Sequence, residues 1–221
     1  MKFGPKIVTD GLVLALDAAN PNSYPGSGTT WNDLTPNKNN GTLVNGPTFD
    51  SANGGSIVFD GINDYCSLPN LALNYPFHIS FWGEGTSTSD ATGIAFVNPT
   101  SNAKSISLQI VPDINAIRIT YYDGSFTSAS TFGENNTIYK VSGNFTSTGF
   151  DLYVNGVFAN SLSGNKSKIW TDTNTSYNIS LLNRPNTIYF PGNIYTTEIY
   201  NRTLTPEEIL QNYNALKDRF I

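Results

Sequence analysis

Phe150-Asp151-Leu152-Tyr153-Val154-Asn155-Gly156-Val157-Phe158-Ala159 is two short apolar runs parted by Asn-Gly. Both central residues of a type I′ turn need positive φ, which Asn and Gly adopt at the least steric cost, so the stretch reads as a β-hairpin. The chain around it follows the same pattern. Ile117-Arg118-Ile119-Thr120-Tyr121-Tyr122 leads through Asp123-Gly124 into Ser125-Phe126-Thr127, and Ser56-Ile57-Val58-Phe59 leads through Asp60-Gly61-Ile62-Asn63-Asp64 into Tyr65-Cys66-Ser67-Leu68. Two more hairpins are expected there. Phe77-His78-Ile79-Ser80-Phe81-Trp82 alternates, placing Phe77, Ile79 and Phe81 on one face and His78, Ser80 and Trp82 on the other. With Gly11 to Asp17, Asn178 to Leu182 and Asn193 to Tyr200, these short, closely spaced strand signals predict an all-β, two-sheet antiparallel sandwich.

A single helix interrupts the pattern, expected over 205–219. Thr205 suits the N-cap, Pro206 the first helical position, and Glu208 completes a capping box. Ile209, Tyr213, Leu216 and Phe220 recur at spacings of four, three and four, which is one helical face. Lys217 and Arg219 fall in the last turn, where cations favour the dipole. The helix is expected to pack on the sandwich, with docking to a partner as the other reading.

Composition bounds the rest. The 221 residues suit one sandwich domain, assigned to 11–221, after an N-terminal arm at 1–10 that Pro5 keeps extended. Such an arm either packs on its own domain or adds to a neighbour's sheet edge. Cys66 is the only cysteine, which excludes an intrachain disulfide and a cysteine zinc cluster. A net charge of −5, with 12 scattered Lys and Arg, argues against nucleic acid. No apolar run nears the roughly 18 residues of a membrane span, and the run Gly11 to Leu16 between Asp10 and Asp17 reads as a strand rather than a leader. Asn40-Gly41-Thr42 and Asn144-Phe145-Thr146 read as unglycosylated turn and strand.

Four segments in this order resemble the laminin-G-like branch of the concanavalin A-like lectin/glucanase superfamily. They are Trp31-Asn32-Asp33-Leu34 with Asn39-Asn40-Gly41-Thr42-Leu43, Val58-Phe59-Asp60-Gly61, Leu152-Tyr153-Val154-Asn155-Gly156, and Gly192-Asn193-Ile194 continuing through Ile199-Tyr200-Asn201-Arg202-Thr203-Leu204-Thr205-Pro206-Glu207-Glu208-Ile209. The resemblance implies a jelly-roll sandwich. The opening Gly11 to Asp17 and the close Tyr200 to Ile209 are also similar to lectin-like structural proteins of tailed bacteriophages, cyanophages among them. That implies a non-enzymatic virion component: a surface decoration or fibre-associated protein, made in the host cytoplasm, oligomeric or embedded among other virion proteins. A glycan-binding adhesin for host attachment is the alternative, and a glycoside hydrolase the third. Thr196-Thr197-Glu198 departs from the resemblance, because that strand is usually more apolar.

Catalytic chemistry finds no footing in the residues. Glycoside hydrolysis needs two carboxylates about 5–10 Å apart. Here Glu84 and Glu134 read as turn residues, Glu198 stands alone on its strand, and Glu207 and Glu208 open the helix. His78 is the only histidine and no Gly-x-Ser-x-Gly elbow accompanies it, so it reads as a sheet-face residue beside Trp82. No catalytic, metal or cofactor residues are assigned. Asp60 and Asp64 suit turn stabilisation, or two of the 6–8 oxygens that calcium needs. Trp82, Trp170 and Tyr122 are the aromatic candidates for stacking on a sugar.

Overall fold

Asn155 and Gly156 take φ of 51° and 82°, and the strands they join pair antiparallel outward from Val154↔Val157. The structure is a computed structural model. It describes residues 5–69, 71, 73–86, 92–97, 105–122, 125–164, 178–181, 183–184, 188–189 and 191–220.

In chain order the strands begin with β1 (Leu12–Asp17), β2 (Thr30–Trp31), β3 (Gly41–Val44), β4 (Thr48–Asp50), β5 (Ser56–Asp60) and β6 (Tyr65–Leu68). Next come β7 (Phe77–Gly85), β8 (Thr92–Val97), β9 (Ser105–Val111), β10 (Ala116–Tyr122), β11 (Phe126–Phe132) and β12 (Ile138–Thr146). The last are β13 (Gly149–Val154), β14 (Val157–Ser163), β15 (Asn178–Leu181), β16 (Asn183–Arg184), β17 (Ile188–Tyr189) and β18 (Pro191–Tyr200). The first sheet runs β14-β13-β12-β7-β18-β5-β4, with β1 also on β18, and the second runs β11-β10-β9-β8-β15-β6-β3-β2. β18 serves two neighbours on one edge: Pro191 to Ile194 pair with β5, and Thr196 to Tyr200 pair with β1. Every pairing among the described residues is antiparallel, as expected for this sandwich.

One expected hairpin is not a hairpin. β5 lies in the first sheet and β6 in the second, so 60–64 carry the chain from one sheet to the other. Gly61 has φ of 75°, and a Cβ there would meet Pro191 Cδ at 2.6 Å. An Asp-Gly corner turns the chain equally well whether or not its flanking strands then pair. β10 and β11 do pair as expected, from Tyr122↔Phe126 onward; their Asp123-Gly124 turn lies outside the described residues.

The main core fills the space between the sheets. Ile57, Phe59, Phe77, Phe81, Leu108, Ile119, Phe145 and Leu152 are all buried there, and Phe77 stacks on Phe145 with ring centroids 4.9 Å apart. Each such side chain contributes about 1.5–3 kcal/mol on leaving water. Trp31 is fully buried and anchors the long polar stretch before β3. The Cys66 thiol is buried too, and burial pushes its pKa up to about 12, so it behaves as a small apolar residue.

A second layer forms on the outer side of the first sheet. The helix α1 (Pro206–Leu216) continues as a 3₁₀ turn over Lys217–Arg219 and begins with the expected capping box at Thr205 and Glu208. Its buried residues are Ile209 and Asn212, with Tyr213 and Phe220 stacked on Trp82 at 5.5 and 4.4 Å. Both faces of β7 are therefore covered, which makes it the buried middle of three layers.

Candidate functional site

The helix-covered face holds most of the polar residues that the sequence singled out, and it locks them. His78 Nδ1 lies 2.8 Å from Asn144 Oδ1. That oxygen also accepts from Leu204 N, while Asn144 Nδ2 donates to Leu204 O, so His78 must carry its proton on Nδ1 and donate it. Burial pushes the imidazole pKa down to about 3, keeping it neutral. Glu198, expected to stand alone, is paired with Lys140 and accepts from Ser80 Oγ at 2.7 Å and Thr196 Oγ1 at 2.9 Å. Both carboxylate oxygens are committed. Burial lowers the Lys140 pKa.

The remaining carboxylates are no freer to act as a pair. Glu84 lies within β7 rather than in a turn, because the glycines beside it continue the strand, and it accepts from Tyr195 OH at 3.3 Å. Glu198 is opposite Ser80, four residues along β7 from Glu84, a separation of roughly 13 Å that exceeds the catalytic range. Glu208 caps the helix and clasps Arg202 through both oxygens, at 2.8 and 2.6 Å. Asp60 Oδ1 accepts from Ile62 N at 2.8 Å and Asn63 N at 3.3 Å, and Asp64 Oδ2 accepts from Asp60 N at 3.3 Å. That is the turn-stabilising arrangement. Among the described residues no three His, Cys, Asp or Glu side chains gather as metal ligands. A groove of about 260 Å³ at the β12–β14 end has Asp151 as the one carboxylate among its lining residues.

The outer face of the second sheet is not the one that α1 covers, although Ala95, Ser105, Gln109 and Thr120 on it are buried. Ile106, Leu108 and Ile110 of β9 and Ile117, Ile119 and Tyr121 of β10 point into the core, so their alternate neighbours point out. Thr42, Ser67, Ala95, Ser107, Thr120 and Ser128 form a row of small, mostly hydroxyl-bearing residues across the sheet. Its floor is Ala95 and Thr120, both buried, and its two ends, Thr42 and Ser128, are exposed.

On one side of this row Arg118 Nε donates to Gln109 Oε1 at 2.8 Å, and Thr120 Oγ1 reaches the same oxygen at 3.4 Å. On the other side Tyr122 and Phe126 lie with ring centroids 4.6 Å apart, and Phe126 is 64% exposed. Hydroxyls, an amide, a guanidinium and apolar ring faces are the groups that hold a sugar, whose surface alternates hydroxyl and C–H.

Of the aromatic candidates among the described residues, only Tyr122 is found here. Trp82 is buried under α1, because alternation gives its side of the strand but not what covers that side, and Trp170 lies outside the described residues. Arg118 and Gln109 were not singled out by the sequence. The signal available was a charged residue at an outward position of an otherwise apolar alternating strand.

The family model described as the concanavalin A-like lectin/glucanases superfamily, in its laminin-G form, matches residues 60–210. No curated protein matches by sequence. Among solved structures, domain 4 of AbnA, an extracellular GH43 arabinanase from Geobacillus stearothermophilus in complex with arabinotriose, superposes with a TM-score of 0.72 at 17% identity, covering 91% of this chain and 98% of that one. The binding domain of botulinum neurotoxin DC in complex with SialylT gives 0.68 at 15% identity, covering 94% and 52%, so this chain spans about half of that domain. Trypanosoma rangeli sialidase gives 0.69 at 15% identity, covering 96% and 34%. At these identities the likeness is one of fold.

Proposed function

The chain belongs to the concanavalin A-like lectin/glucanases superfamily, and from that premise we propose that it is a non-enzymatic, lectin-like domain that binds carbohydrate across the outer face of the second sheet. The observation that carries this reading is the hydroxyl row flanked by Arg118 with Gln109 on one side and Tyr122 with Phe126 on the other. Two of the similar structures are described as complexes with arabinotriose and with SialylT, which supports a saccharide as the ligand class. The non-catalytic part of the reading is supported by Glu198 and Glu208, whose carboxylates are spent on Lys140 and Arg202, and by the distance from Glu84 to Glu198. A cell-surface glycan is the partner that suits such a face.

The proposed setting is the outside of a phage particle, among other virion proteins. It rests on the resemblance of the opening and closing segments, which come together in the fold: β1 pairs with the end of β18, and Asn201 N donates to Gly11 O at 2.9 Å. Their shared work is to close the sandwich, so the setting needs a test of its own. Screening the purified chain and its Phe126→Ala variant against immobilised oligosaccharides tests the binding reading. Saccharide binding that weakens in the variant is expected, and no binding to any saccharide would sink it. Mass spectrometry of purified particles tests the setting, which absence of the chain would overturn.

A further inference from the structure

Arg118 is the one arginine, among those whose side chains are described, that has no carboxylate partner. Arg202 pairs with Asp10 and Glu208, and Arg219 with Asp17. Arg118 instead donates its Nε to the neutral amide of Gln109. Burial lowers the Arg118 pKa, which the charge of nearby Asp113 opposes, but Asp113 makes no ion pair with it. Gln109 is 8% exposed and is held between Arg118 and Thr120, so it fixes the guanidinium from one side. The Nη nitrogens of this half-buried cation make no hydrogen bond or ion pair among the described residues, in a chain whose net charge is −5.

We propose, building on the carbohydrate-binding reading, that the saccharide taken by this face bears an anionic group, a carboxylate or a sulfate, and that Arg118 is the residue that selects it. A planar guanidinium anchored through Nε presents its two terminal nitrogens as a fork, the geometry that receives two oxygens of one anionic group. The cost of orienting the fork is already met by Gln109. Partial burial also strengthens a charge-assisted hydrogen bond relative to one in bulk water.

Arg118 and Tyr122 lie four residues apart on the same face of β10, roughly 13 Å. The anionic group and the sugar face that rests on Tyr122 and Phe126 therefore belong to different rings of an oligosaccharide.

The test compares three sets of oligosaccharides of equal length: uronic-acid, sulfated neutral, and uncharged. Each is titrated against the wild type and the variants Arg118→Gln, Arg118→Lys and Phe126→Ala, with melting temperatures recorded to show that each variant is folded. The wild type should bind at least one anionic set about tenfold more tightly than the uncharged set, and high salt should shrink the difference. The set preferred identifies the anion. Arg118→Gln should abolish the preference, Arg118→Lys should keep part of it, and Phe126→Ala should weaken anionic and uncharged sets alike. Equal binding of charged and uncharged sets, or a preference that survives Arg118→Gln, overturns this inference and leaves the carbohydrate reading standing. Failure to bind any set overturns both.

Discussion

The ammonium of Lys140 and the carboxylate of Glu198 are ion-paired on the helix-facing side of the first sheet, with side chains 1% and 3% exposed. Taking two charges out of water costs several kcal/mol each, which their attraction offsets only while both are present and hydrogen-bonded. Ser80 and Thr196 supply those further bonds to Glu198. Glu198→Ala is expected to cost about 3–5 kcal/mol in urea denaturation, because it strands a buried cation. The double replacement Lys140→Met with Glu198→Leu should cost less than the single one, since no charge is left behind. Additive losses would show that the pair does not act as a unit.

His78 makes the fold sensitive to acid. Its pKa is pushed down to about 3 in the fold and lies near 6.5 in an unfolded chain. Between those values the unfolded chain binds a proton that the folded one refuses, so stability rises with pH and falls on acidification through that window. The limiting slope is about 1.4 kcal/mol per pH unit. Glu208, whose pKa Arg202 pulls down to about 2, adds loss in the same direction only below the ordinary glutamate range. The carboxyls of Asp64 and Asp151, raised by burial, act in the opposite sense. The informative comparison is therefore His78→Gln against wild type, by chemical denaturation from about pH 6.5 to 4.5. The variant should show a flatter slope; parallel curves would exclude His78 as the group responsible.

Phe220 and Tyr213 close over Trp82 from the C-terminal end of the chain. Phe220→Ala should cost about 1–3 kcal/mol through lost ring contact and burial. It should also red-shift the tryptophan emission as water reaches the indole. A destabilised protein with unshifted emission would place the loss elsewhere.

The strands, the turn at Asn155-Gly156 and the helix start were legible because each is a local event. φ preference decides the turn, and Thr205 with Glu208 decides the cap. Trp31 to Leu34 and Asn39 to Leu43 are also explained locally. Asp33 accepts from Ala15 N, Thr35 N, Thr35 Oγ1 and Asn39 N, and Asn39 Nδ2 reaches Val13 O, so those motif residues pin a loop to β1. Pairing across long stretches of chain was not legible. Asp60-Gly61 signals a turn whether the chain folds back or crosses to the other sheet. Lys140 and Glu198 lie 58 residues apart, and only the common pairing of β12 and β18 with β7 brings them together. Arg118 and Gln109 are brought together only through the β9–β10 register, whereas Tyr122, an aromatic on an alternating strand, could be singled out without it.

The N-terminal segment is tied to its own domain by bonds whose loss can be measured. Val8 N donates to Asn212 Oδ1 at 2.8 Å, Tyr200 OH donates to Val8 O at 3.0 Å, and Asn212 Nδ2 donates back to Tyr200 OH at 2.9 Å. Gln211 Nε2 reaches Lys6 O at 2.7 Å, and Arg202 holds Asp10. Asn212 and Tyr200 are buried, so they depend on this backbone for their partners. Deleting residues 1–8 removes Val8 and exposes two polar groups that were satisfied inside, each costing about 1–3 kcal/mol unless water replaces the bond. The truncated chain should therefore lose about 2–6 kcal/mol, with faster amide exchange along α1. In the intact chain, Asn212→Ala should reproduce a large part of that loss, because it cuts the same link from the helix side. A segment free to serve as an anchor on a neighbouring subunit predicts the opposite result: the deletion would leave the melting temperature unchanged and abolish only assembly.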